Sequence, residues 1–244
     1  MERILNKLDG FLGRNDYKSA EEHILYWLSE GEKRGDNRQK LLLLNELAGL
    51  YRKLSRQNDA LNAAENALSL VKAMGIEDNI GAGTTYLNCA TVYKAFKMAE
   101  KALPLYEKAK IIYEKELSQN DKRFGGLYNN MALALVDLGD FERAYNLYEK
   151  AIAIMEKVPD GLLDVAITYL NIADAKQAEM GIEESDEIVG AFLEKAMKIL
   201  DNHEKRDGYY AFVCEKCASV FGYYGFFLYQ QELEQRAREI YERP

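Results

Sequence analysis

Proline is scarce in this chain, with three residues in 244, where an average composition would supply about a dozen. Stretches rich in glycine, serine and proline are missing as well, which argues against linkers and disorder. There are three cysteines; an odd set cannot complete a disulfide framework, and it suits a reducing cytoplasm. No surplus of positive charge exists: 32 Lys and Arg stand against 40 Asp and Glu, for a net charge of −8. Gripping phosphate backbones needs a basic stripe, so nucleic acid is excluded as a partner. The longest apolar run, Phe221 to Tyr229, has nine residues and contains Gly225. A membrane helix needs roughly 20, so no membrane role is expected. The opening MERILNKLDGFLG places acidic and polar residues where a secretory signal would be apolar.

The motifs of common catalytic chemistry are equally thin. Phosphate-binding glycine loops and HExxH are absent, and there are two histidines, His23 and His203, neither with a partner in sequence. Cys214 and Cys217 form a CxxC, but a structural zinc site needs four ligands and no second pair follows. A redox pair would sit at a helix N-terminus, whereas this one falls mid-helix on a core-facing side. The acidic run EESDE (183–187) has the look of a solvated helix start. These absences point to a protein that is not an enzyme and needs no cofactor or metal.

What the chain does contain is repetition. The segments 44–68, 87–110, 128–152 and 169–197 align with one another. Ala48, Ala90, Ala132 and Ala173 recur at steps of 42, 42 and 41 residues. Ala60, Ala102 and Ala144 form a second series, and Ala67, Ala109 and Ala151 a third. A small residue stepping in three registers marks places where two helices cross too closely for a larger side chain. Tyr51, Tyr93, Tyr106 and Tyr148 fill the wider gaps, and Gly139, Gly181 and Gly225 stand where a helix would end in a left-handed turn. Pro104 falls within the early turns of a predicted helix and predicts a small kink, while Pro159 follows a helix end. Repeat five carries about four extra residues near Gly181 to Asp186.

On the stretch NNMALALVDLGDFERAYNLYEKAIAI (129–154) and its copies, the chain resembles the tetratricopeptide repeat family, in the longer form of about 42 residues found in kinesin light chains and many bacterial proteins. The resemblance is strongest from Leu44 to Met197. It implies an all-α, right-handed superhelix of about six antiparallel helix pairs, forming a single domain over 1–244. The repeats are expected near 1–35, 38–76, 79–118, 121–158, 162–203 and 207–244.

In such a solenoid the first helix of each pair lines a concave face. Two residues before the first-series alanine stand Glu46, Asn88, Asn130 and Asn171; three before it stand Asn45, Leu87, Asn129 and Leu170. Four residues after it come Arg52, Lys94, Val136 and Gln177. An asparagine amide offers both donors and an acceptor, enough to hold an extended peptide backbone without reading its side chains. Peptide-binding members of the family use asparagine at the position of Asn88, Asn130 and Asn171, so the resemblance implies the same role here, with Asn45, Asn129, Arg52, Lys94 and Gln177 assisting. The competing reading is that these asparagines bridge neighbouring repeats. A clamp for a terminal carboxylate would need cations where Leu87, Asn129 and Leu170 stand, and Glu46, Asp137 and Asp174 on the same face oppose it.

The expected function is therefore a cytoplasmic module that binds a protein or peptide segment. Two alternatives remain: a peptide-sensing regulator whose output comes from another chain, since the repeats start almost at Met1, and a self-associating scaffold. The second draws on nine aromatic residues between Tyr209 and Tyr229, a region that could serve as a homodimer surface.

Overall fold

Aspartate or asparagine starts half of the helices. In a computed structural model that describes residues 1–243, Asp16, Asp36, Asn79, Asp121, Asp140 and Asp207 each accept a hydrogen bond from a backbone N–H of the first turn. Such caps satisfy donors that the helix itself leaves open. The Arg123 guanidinium and backbone N–H bond the Asp121 carboxyl and hold its pKa down at about 2.

The described residues form twelve α-helices and no strand. They run as α1 (Glu2–Leu12), α2 (Tyr17–Lys33), α3 (Asn37–Lys53), α4 (Gln57–Ala73), α5 (Ile80–Ala95) and α6 (Ala99–Glu116). Then follow α7 (Lys122–Asp137), α8 (Phe141–Met155), α9 (Leu162–Met180), α10 (Ile182–Asn202), α11 (Gly208–Tyr223) and α12 (Phe227–Tyr241). Consecutive helices pack as pairs, six in all, so the fold is all-α and built from helix pairs as the repetition implies. The chain divides into two compact units, Met1–Ser118 with α1 to α6 and Gln119–Pro244 with α7 to α12.

The alanine registers lie at the helix crossings. In the first unit Ala48, Ala60, Ala67, Ala90, Ala102 and Ala109 are all essentially inaccessible, and in the second so are Ala132, Ala144, Ala151, Ala173 and Ala196. Tyr106 and Tyr148, both fully buried, fill the wider spaces beside them. Helix α6 continues through Pro104 without a break. The extra residues of the fifth repeat lengthen both helices: α9 spans 19 residues and α10 spans 21, with Gly181 alone between them.

A further register emerges at the turns. Asn15, Ser55, Lys97, Gly139, Gly181 and Gly225 all have positive φ, between 56° and 89°. From Ser55 to Gly181 they step by 42 residues each time. Glycine adopts this conformation without a Cβ clash, whereas other L-residues are disfavoured in it by about 1 kcal/mol or more. Ser55→Gly, at an exposed position, is therefore expected to stabilise the first unit by about 0.5–1 kcal/mol. Thermal unfolding followed by circular dichroism should show a raised midpoint; an unchanged or lowered one would contradict this account of the turn.

Candidate functional site

The asparagines of the expected inner face do not stand alone; the structure couples them in twos. In the first unit Asn45 on α3 gives both amide protons away, to the Leu41 carbonyl at 2.8 Å and to the Thr85 hydroxyl at 3.1 Å. Its own carbonyl then accepts from Asn88 Nδ2 on α5 at 3.0 Å. Thr85 is almost wholly buried and donates to the Gly81 carbonyl at 3.0 Å. The consequence is directional. Asn45 has no donor left, while Asn88, half-buried at the surface of the pair, keeps a second N–H and its carbonyl oxygen.

The second unit holds a related pair, in which the asparagine of the earlier helix acts as acceptor to both partners. Asn171 Nδ2 on α9 donates to Asn129 Oδ1 on α7 at 2.9 Å. The buried Thr168 hydroxyl donates to the Asp164 carbonyl at 2.8 Å and lies 3.2 Å from that same Asn129 oxygen. Asn171 is left, like Asn88, with one N–H and a carbonyl. Asn45 and Asn129 thus bridge neighbouring repeats and orient their partners, which is the competing reading of the sequence realised for one member of each pair. Asn130 is half-buried and has no amide partner among the described residues.

The remaining expected residues scatter. Arg52 is exposed, and its charge reaches the Tyr106 hydroxyl, which donates to Thr91 at 3.2 Å. Lys94 is half-buried on α5. Gln177 is bound to its own neighbour, donating to the Tyr223 hydroxyl at 2.7 Å. Glu46 carries a raised pKa, from poor solvation first and from the nearby Asp9 carboxylate second.

The two threonines belong to these hydrogen-bonded arrangements, and the sequence reading missed them. A signal was present: TYLNCA at 85–90 and TYLNIA at 168–173 are near-identical, and each places threonine three residues before the outer asparagine. On a helix that spacing puts both on one face.

Sequence motifs suggestive of chemistry sit in structural places. Cys214 and Cys217 are buried in the core between α9, α10, α11 and α12, and burial pushes the Cys217 thiol up to about 12. Cys89 is raised to about 12 for the same reason. His23 lies with Nε2 3.0 Å from the Ile4 carbonyl oxygen, and His203 stacks on the Tyr210 ring. Of the C-terminal aromatic residues, Tyr210 and Phe221 are fully buried, whereas Tyr209, Phe212, Tyr223, Phe226 and Phe227 are exposed.

One buried hydroxyl is orphaned. Tyr148 occupies the position in α8 that Tyr106 holds in α6, but where Tyr106 finds Thr91 the corresponding residue 42 positions on is Leu133, which has no hydroxyl to offer. Burial chiefly, then the carboxylate of Asp174, raises the Tyr148 pKa, with Asp137 adding to it. Nearby, a cavity of about 500 Å³ opens between α9 and α11, lined by Asp174, Gln177, Ala178, Ser219, Val220, Tyr223 and Tyr224.

With this geometry in view, residues 124–181 match the family model for the tetratricopeptide repeat, a span that includes Asn129, Asn130, Thr168 and Asn171. No curated protein matches the chain. Among solved structures, BtubC (BKLC) from P. vanneervenii is similar with a TM-score of 0.60 and 20% identity, over 92% of this chain and 90% of that one. A Podosopora anserina protein designated a putative kinesin light chain, with nearly identical TPR-like repeats, is similar at a TM-score of 0.55 and 20% identity. That likeness covers 82% of this chain and 94% of the other. At such identity these neighbours speak for the fold. No helix among the described residues is long and apolar enough to cross a membrane.

Proposed function

The chain is a tetratricopeptide-repeat protein, a fold that generally mediates contacts between proteins, and from that premise we propose that each of its two units holds an extended peptide segment of a partner protein, through Asn88 in the first and Asn171 in the second. The observation that carries this reading is the Asn–Asn–Thr arrangement found once in each unit. An asparagine merely bridging two repeats would spend its amide there. Asn88 and Asn171 instead are held from behind and retain a donor and an acceptor, the pair that a peptide's C=O and N–H require. Fixing the side chain beforehand lowers the entropy lost when the peptide docks. Asn45, Asn129, Thr85 and Thr168 are positioning residues in this scheme, and Asn130, Arg52 and Lys94 secondary contacts. No cofactor enters, and the setting proposed is the cytoplasm.

The test is a random decapeptide library selected on the full-length protein and on the Asn88→Ala/Asn171→Ala variant. Each bidentate amide contact should contribute about 1 kcal/mol or more, so the loss in each unit is expected to weaken the peptides held by that unit by roughly fivefold or more. Circular dichroism should show equal helicity, because both side chains are partly exposed. Peptides that bind both proteins equally would remove the asparagines from the site. A second reading, self-association, is favoured by one observation: Phe227 and Leu228 are 64% and 84% exposed beside Tyr223. A stable dimer in light scattering that dissociates on Phe227→Asp would support it.

A further inference from the structure

The single tryptophan of the chain stands where the other repeats of its unit place an alanine. Trp27 lies 40 residues before Ala67 of the third series, the same step that separates the left-handed turn residues Asn15 and Ser55. Ala67 and Ala109 are inaccessible, whereas Trp27 is half-buried. A short first helix makes the room. Helix α1 has 11 residues against 17 in α3 and 16 in α5, which leaves it about 8–9 Å shorter. His23, in the second turn of α2, already meets the Ile4 carbonyl near the start of α1. Tyr26 and Trp27, one turn later, have little of α1 left to cover them, and Tyr26 is 59% exposed.

The result is a cleft of about 850 Å³ between α1 and α2, within the first unit. Arg3, Ile4 and Lys7 line it from α1, and His23, Tyr26 and Trp27 from α2. The α2 side is aromatic: Trp27 meets Tyr26 edge-on at 5.2 Å and His23 at 6.4 Å. Arg3 and Lys7 are exposed and lie one helical turn apart on α1. Arg3 has no ion-pair or hydrogen-bond partner among the described residues, and Lys7 has the Phe11 ring at 5.7 Å but no carboxylate. The other charges in the lining are Arg34, held by Glu30 at 3.3 Å, and Glu22, exposed and itself unpaired. Two uncompensated cations beside an aromatic surface contrast with a net charge of −8 for the whole chain. A carboxylate is therefore better accommodated here than elsewhere on an acidic molecule. Tryptophan, tyrosine and arginine are also the side chains on which interface energy concentrates.

We propose that this cleft binds an acidic peptide segment of a partner protein, with carboxylates on Arg3 and Lys7 and an apolar side chain against Tyr26 and Trp27. The site is separate from the asparagine positions: it lies between the first two helices, whereas Asn88 stands on α5. Glu22 orients the segment, because a carboxylate placed towards α2 meets a like charge. The acidic residues of the segment therefore belong on the α1 side and its apolar residue on the α2 side.

Because Trp27 is the only tryptophan, its fluorescence reports on the cleft alone. The probes are N-acetylated, C-amidated decapeptides free of tryptophan, each with a central leucine flanked by Asp and Glu, by Lys and Arg, or by Ser. With the full chain, the acidic set should shift the emission and bind about tenfold tighter than the serine set, as charge-assisted contacts imply. The basic set should leave the emission unmoved. Arg3→Glu/Lys7→Glu, at exposed positions, should reverse that order, with circular dichroism showing equal helicity. Glu22→Gln should tighten the acidic set by about threefold. Asn88→Ala/Asn171→Ala should change none of this, so failure of the asparagine site and failure of the cleft are read separately. Emission that ignores the acidic set, or an acidic preference that survives reversal of Arg3 and Lys7, overturns the proposal. Emission that moves on concentrating the protein alone shows a second copy in the cleft and overturns it as well.

Discussion

Phe221→Ala is expected to cost about 3–5 kcal/mol, the range for emptying a fully buried aromatic site. Phe221 is inaccessible in α11, and its ring meets Tyr229 edge-on at 4.7 Å and Phe226 at 6.1 Å, so it joins the last two helices. Helix α12 is otherwise held by a few residues. Leu233 and Ala237 are its buried residues, and a polar seam reaches α10 through Asp201, which accepts from Tyr229 and Arg236 at 2.8 Å. Repeats contact their neighbours and little beyond, so the damage should stay local. Amide hydrogen exchange is the appropriate measurement. Protection in α12 should fall by orders of magnitude while α3 to α6 remain unchanged. Unchanged protection in α12 would show that the aromatic contact is not what secures the terminal helix.

Ala132→Leu tests the other physical limit, overfilling. Ala132 has no accessible surface and belongs to the register at which paired helices cross. Three added carbons there have no void to enter, and the expected loss is about 1–3 kcal/mol. The same change at Ala95, an exposed residue at the end of α5, should lie within about 0.5 kcal/mol of wild type. Urea unfolding of the two variants checks both halves. Equal stability would mean that the alanine registers reflect composition and not the closeness of the helices.

Those registers explain why so much of the fold was legible. A helix crossing depends on the size of a residue, and size is a property a sequence states directly. The same crossing returns every 42 residues, so even a degenerate motif becomes unmistakable by repetition. Turn glycines add to this, since Gly139, Gly181 and Gly225 announce a left-handed backbone. Ser55 and Lys97 adopt that backbone without announcing it. There the packing of the helices on both sides imposes a conformation that local preference opposes.

The site was legible to a lesser depth. Asn45, Asn88, Asn129 and Asn171 could be singled out from their offsets to an alanine. Which of them bridge and which remain available could not, because a hydrogen bond between residues 42 or 43 apart depends on side-chain rotamers and on the approach of adjacent repeats. Thr85 and Thr168 escaped notice because a helical threonine ordinarily bonds its own backbone, as both do, and nothing local shows that the oxygen is shared with an asparagine from another helix. The meaning of Leu133 was likewise hidden: an aliphatic residue on a helix is unremarked until Tyr148 is seen to lack the hydroxyl that Thr91 provides to Tyr106 one repeat earlier.

By itself, then, the sequence determined the period, the helix pairing, the crossing points and the face on which amides gather, because each follows from side-chain size or spacing along one helix. The tertiary structure alone decided the direction of the amide pairs, the left-handed turns at Ser55 and Lys97, the orphaned Tyr148 hydroxyl and the acidic, tyrosine-walled cavity at Asp174. The amide pairs arise where atoms from different helices come within about 3 Å of one another, and the turns and the orphaned hydroxyl are likewise set by packing and not by order along the chain.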